Sequence, residues 1–141
     1  MMKSRNKMLL IISIFMILFF GGVFFIFYIE PLVKQNQLHS DFMFLDNVTQ
    51  ACIRQYYESN QEYPKSLSQI ENKILEKCYV NSPPKDSKYR ELLNNFQVFS
   101  DKKKLVLSWQ IQKKDVIYCY TTVFENGKSR FQVGMNNAGD Y

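Results

Sequence analysis

Proton-transfer chemistry in this chain would have to run through His39, its only histidine. General acid–base catalysis needs such a base held against a partner of the right type, and a metal site needs several ligands at a fixed spacing. Asp41 and Asp46 flank His39 without metal-ligand spacing, and no glycine-rich phosphate loop or nucleophile elbow is present. Serines and acids are available, but a triad would have no base other than His39. The residues therefore read as a solvated His39, with no catalytic residue, no metal site and no cofactor. An enzyme is not expected.

Two other groups carry chemistry. Cys52, Cys78 and Cys119 can form a disulfide if the compartment is oxidising. Tyr118, Tyr120 and Phe124 alternate with Ile117, Cys119 and Val123, which makes one face of a strand aromatic. Whether either group does anything depends on the elements that hold it.

The first element is apolar. Met8 to Ile29 contains only Ser13, Gly21, Gly22 and Tyr28 among strongly apolar residues, and no charge. As a helix these 22 residues would extend roughly 33 Å, enough for a hydrocarbon core about 30 Å thick. A cleavable signal would have a shorter apolar core ending in small residues, whereas Phe24, Phe25, Phe27 and Tyr28 stand there. An uncleaved transmembrane helix over 8–29 is the preferred reading, and the lipid bilayer is thus the first partner. Lys3, Arg5 and Lys7 precede the run, so residues 1–7 form a cytoplasmic flank and 30–141 an extracytoplasmic domain. The expected location is single-pass in the cytoplasmic (inner) membrane.

The net charge of +5 owes three bases to that flank, leaving fifteen bases against thirteen acids outside. The nearest basic clusters, Lys102–Lys104 and Lys113–Lys114, fall at turns, where lysines commonly protect sheet edges. Nucleic acid is excluded as a partner on that ground.

Beyond the membrane the pattern is α+β. Leu38, Phe42, Leu45, Val48, Cys52 and Tyr56 recur at helical spacing, which predicts an amphipathic stem helix over 32–59, with Pro31 kinking or starting it. After Tyr63-Pro64 a second helix is predicted over 66–77, capped by Ser66. Asn81-Ser82-Pro83-Pro84 opens a loop, with a short helix around Tyr89–Leu93. The period then becomes two, which predicts a four-stranded antiparallel sheet over 95–134 with strands near 95–100, 104–112, 115–124 and 128–134. Asn126-Gly127 supplies a hairpin turn. Leu105, Leu107, Trp109 and Ile111 should face the stem's Phe42–Tyr56 stripe.

The segment from Ala51 to Leu67, with Tyr56, Asn60 and Tyr63-Pro64-Lys65-Ser66-Leu67, resembles the place where a pseudopilin stem helix meets its head. The order of anchor, stem, Tyr-Pro turn and antiparallel sheet is similar to that of type IV pilins and type II secretion pseudopilins. The resemblance implies a pilin-like fold, and partners that are other membrane or pilin-like proteins packed on anchor and stem. One feature departs from those families. Gly22 is followed by Val23, Phe24, Phe25, Ile26 and Phe27, the first acid is Glu30, and the prepilin cleavage motif is absent.

Within that framework the stem and second helix run antiparallel, which could bring Cys78 beside Cys52. That disulfide is favoured, with Cys119 read as a small core residue, although Cys52–Cys119 stays open. The Tyr118, Tyr120, Phe124 face is a candidate interaction surface, with packing against Pro83–Leu93 as the preferred alternative. Two functions follow. One is an anchored pilin-like structural or interaction protein, as an accessory component of a secretion or pilus-type assembly. The other is an anchored extracytoplasmic ligand- or peptide-binding module.

Overall fold

The computed structural model describes residues 2–78 and 88–137. The protein is α+β, with a long N-terminal helix, short helices and a four-stranded antiparallel sheet. The predicted Asn81–Pro84 loop lies outside the described residues. The backbone divides into two compact units, Met1–Leu38 and His39–Tyr141.

In the first unit α1 (Met2–Phe24) passes through a π-helical turn, Phe25–Ile29, into α2 (Glu30–Asn60). Pro31 brings no N–H to the helix, and its ring would press on the carbonyl one turn back. The wider turn ahead of it, where the Glu30 N–H donates to the Phe25 carbonyl, lets the helix continue instead of breaking. Phe15, Ile17, Phe19 and Phe27 are all exposed, and the most apolar 18-residue window has a mean hydropathy of 2.9 with none of it buried. A helix apolar on every side has no single face to offer a core. By length and composition it can cross a membrane.

In the second unit α2 is the spine of the core. Phe42, Leu45, Asp46, Thr49, Cys52 and Ile53 are its buried positions, at the three- and four-residue intervals of one helix face. The sequence stripe differs by including Leu38, which is exposed, and Val48 and Tyr56, which are half-buried, and by omitting Asp46, Thr49 and Ile53. The second helix also differs from its expected 66–77. A 3₁₀ turn at Leu67–Gln69 precedes α3 (Glu71–Cys78), and Ile70 between them is buried. Ser66 makes no cap. Its hydroxyl pairs with that of Ser68 at 2.6 Å, while Gln69 Oε1 accepts the Lys65 N–H. A short helix α4 follows at Lys88–Leu93.

The sheet is a meander, β1 (Gln97–Ser100), β2 (Lys104–Lys113), β3 (Val116–Glu125) and β4 (Lys128–Asn137), in that spatial order. Alternation of side chains puts Leu105, Leu107, Trp109 and Ile111 on the α2 side, where all four are buried as the sequence predicted. Asn126 (φ 52°) and Gly127 (φ 75°) both adopt the left-handed conformation of a type I′ turn, and Glu125 pairs with Lys128. Burying side chains such as Leu45, Ile53, Leu105 and Leu107 contributes roughly 1.5–3 kcal/mol each before entropy is subtracted.

Candidate functional site

His39 is half-buried and bonded rather than simply solvated. It lies on α2 one turn before Phe42, which aims it at the end of the sheet where β2 closes and β3 begins. Its Nε2 lies 2.8 Å from the Tyr120 hydroxyl, and Lys113 Nζ lies 3.1 Å from Nδ1. An ammonium can only donate, so Nδ1 accepts, and Nε2 carries the proton and donates to Tyr120. Burial first, and then the Lys113 charge, push the His39 pKa below its ordinary value. Burial similarly pushes the Tyr120 hydroxyl up. An imidazole with both nitrogens engaged has none left for a substrate or a metal. Among the described residues no cluster of three or more His, Cys, Asp or Glu could hold a metal ion.

Further along the helix–sheet seam, Asp46 is 2% exposed and accepts a hydrogen bond from Gln50 Nε2 at 2.8 Å; the same nitrogen reaches Thr122 Oγ1 at 3.2 Å. Burial raises the Asp46 pKa, and the Gln50 bond opposes that. The Trp109 indole N–H lies close enough to favour the carboxylate but makes no hydrogen bond of good geometry. Thr49 Oγ1 is likewise buried without a partner.

The aromatic row of β3 turns inward. Tyr120 is 8% and Phe124 1% exposed, and Tyr118 is half-buried at the core margin. Their cover is α2 and Tyr63: Tyr120 meets His39, and Phe124 meets Tyr63 at 6.1 Å. Part of the segment expected to cover them, Pro83–Leu93, lies outside the described residues.

Cys52, Cys78 and Cys119 are free thiols in this structure. Cys52 is buried in the α2 stripe and Cys78 ends α3. Burial raises both pKa values, that of Cys78 to about 11, and Cys52 adds to the effect on Cys78, so the two lie within electrostatic reach. Cys119 is not a core residue. It stands on the sheet face away from α2, with its thiol 3.9 Å from Gln110 Oε1 and its strand partner Gly134 beside it. The alternation that turns Tyr118 and Tyr120 inward requires this, and it separates Cys119 from Cys52.

Two surface features escaped the sequence reading. A cleft of about 150 Å3 is lined by Arg54, Tyr57, Glu58, Gln61, Tyr63 and Gly127. On β4, Phe131, Val133 and Met135 point to the helix side of the sheet yet remain 47%, 50% and 68% exposed. Their alternation was the available signal. Compared with known protein families, with curated proteins and with solved structures, the chain matches none.

Proposed function

We propose that this chain is a membrane-anchored, pilin-like structural or interaction protein, an accessory component of a secretion or pilus-type assembly. The observation that carries the reading is the division of labour within one continuous helix, Arg5–Asn60. Its first part is apolar on all sides and covered by nothing, while its second part is the buried spine of a four-stranded head. The helix that supplies the head's buried face is thus the same one that carries the apolar run. Basic Arg5 and Lys7 before the apolar run support a cytoplasmic N-terminus and an extracytoplasmic head.

Alkaline phosphatase fused after Tyr141 is expected to be active outside the cytoplasm, with the protein retained in membranes after carbonate washing. Release into the soluble fraction, or a mature N-terminus beyond Ile29, would contradict the anchor. Co-purification from membranes with secretion or pilus machinery tests the assembly role, and a lone monodisperse protein would count against it.

A second reading, an anchored peptide-binding module, is favoured by one observation. Soluble heads rarely leave a row such as Phe131, Val133 and Met135 open on an edge strand.

A further inference from the structure

The free edge of β4 carries two features in phase. The turn at Asn126-Gly127 is a two-residue type I′ hairpin, so Glu125 and Lys128 form its first doubly hydrogen-bonded pair. Pairs along an antiparallel ladder alternate, so Val123–Arg130, Thr121–Gln132 and Cys119–Gly134 are also bonded inward. It follows that Ser129, Phe131, Val133 and Met135 point their backbone N–H and C=O groups away from β3. Three of these four also bear the exposed apolar side chains. Among the described residues no strand pairs with this backbone edge, and the outward groups and the exposed apolar row coincide on the same residues of a ten-residue strand.

The opposite face of this edge is basic. Lys128 and Arg130 stand there with Lys104 two strands away, and the acid between them is Glu125. A second copy fits this edge poorly. Its β4 brings two more bases and no acid, and its β1 is four residues long and runs into Lys102–Lys104. The complementary strand belongs to a different protein.

We propose that β4 binds an extended segment of a partner protein by strand addition. The segment carries apolar side chains opposite Phe131, Val133 and Met135, and acidic side chains opposite Arg130 and Lys128. Main-chain hydrogen bonds to the outward groups supply affinity, and the apolar row with the basic end supplies register and direction. For an antiparallel partner the acids lie toward the segment's C-terminal end. This deepens the interaction role above, and it rests on that reading only for the compartment in which the partner is met.

The test uses the full chain in nanodiscs with two synthetic octapeptides, Val-Thr-Val-Thr-Val-Glu-Ser-Glu and the same peptide with both glutamates replaced by lysine. Amide exchange is followed residue by residue. The acidic peptide should slow exchange at Phe131, Val133 and Met135 by at least about tenfold, leaving the already bonded Gln132 and Gly134 amides little changed. The lysine peptide should not. Val133→Pro removes an outward N–H without touching a β3 bond and should abolish the protection. Should that variant misfold, as judged by Trp109 fluorescence, Val133→Lys at the same half-exposed position should weaken binding at least about tenfold instead. The proposal is overturned if neither peptide protects these amides, if both do so equally, or if protection falls on the Tyr57–Tyr63 cleft. It is also overturned if Val133→Lys binds normally, or if the edge is already protected without peptide and opens on dilution, which would mean a second copy occupies it. Carbonate extraction reads the anchor separately, so either proposal can fail alone.

Discussion

The Trp109 indole lies flat against the Phe42 ring, with centroids 5.0 Å apart and planes 6° from parallel. Tyr120, its cross-strand partner, stacks on the same indole at 4.1 Å and 8°. The contact joins α2, β2 and β3 at one point. Trp109→Ala should cost about 3–5 kcal/mol of stability, read as a lower urea midpoint. Trp109→Glu places an unpaired charge at the same point and should leave the head protease-sensitive. Normal protease resistance in the glutamate variant would remove Trp109 from the core.

The His39 link should make stability pH-dependent. Its folded pKa lies below the ordinary 6.5, so between the two values the unfolded chain binds more protons. Its contribution is complete above 6.5 and is lost as pH falls through the folded value. Protonation would also set an imidazolium against Lys113 and remove the acceptor at Nδ1. His39→Gln, which keeps a donor for Tyr120, should flatten the melting temperature across that window. An unchanged slope in the variant would assign the dependence to other groups.

Asp46 should act with the opposite sign. Its folded pKa is raised from 3.8, so the folded chain holds the proton more tightly and stability falls as pH rises through the raised value. Asp46→Asn removes the buried charge while keeping an acceptor for Gln50. It should raise the urea midpoint at neutral pH and gain little below about pH 3, where the wild-type carboxyl is mostly protonated in both states. A loss of stability at neutral pH would mean that the carboxylate is needed ionised.

These two residues also mark where sequence reading stops. Strand alternation from Leu105 to Ile111 and the Asn126-Gly127 turn are local patterns, and they placed the sheet correctly. Helical periodicity located the stem but missed Asp46 and Thr49, because polar residues are invisible to a search for apolar spacing even when buried. His39 sits three positions before Phe42, on the shoulder of the stripe, and that was its one local sign. Its partners, Lys113 and Tyr120, lie 74 and 81 residues away, and only the folded sheet brings them together. Cys119 was misread as a core residue, although the alternation with Tyr118 and Tyr120 already fixed its opposite direction.

The thiols should react in an order set by burial. Cys119 on the outer face should be alkylated first, Cys78 slowly because its pKa of about 11 leaves little thiolate near neutral pH, and buried Cys52 last. Under an oxidant, non-reducing peptide mapping is expected to find Cys52 joined to Cys78. Closing that loop should stabilise the head by about 3 kcal/mol through restriction of the unfolded chain. A Cys52–Cys119 peptide would require the sheet to turn over and would overturn the register.

The β3–β4 turn has a practical side. Tips of hairpins are usually where a chain accepts foreign sequence. Here the Gly127 N–H donates to the Tyr63 hydroxyl at 3.0 Å, and a methyl group at Gly127 would come within 3.3 Å of the Tyr57 ring. This tip is pinned to the end of α2 and has no slack for an added loop. Lys114 and Asp115, exposed at the opposite end of the sheet, make no such attachment to the helix. An epitope or fluorescent tag for following the protein in cells therefore belongs between Lys114 and Asp115, placed so that the neighbouring Lys113 keeps its contact with His39.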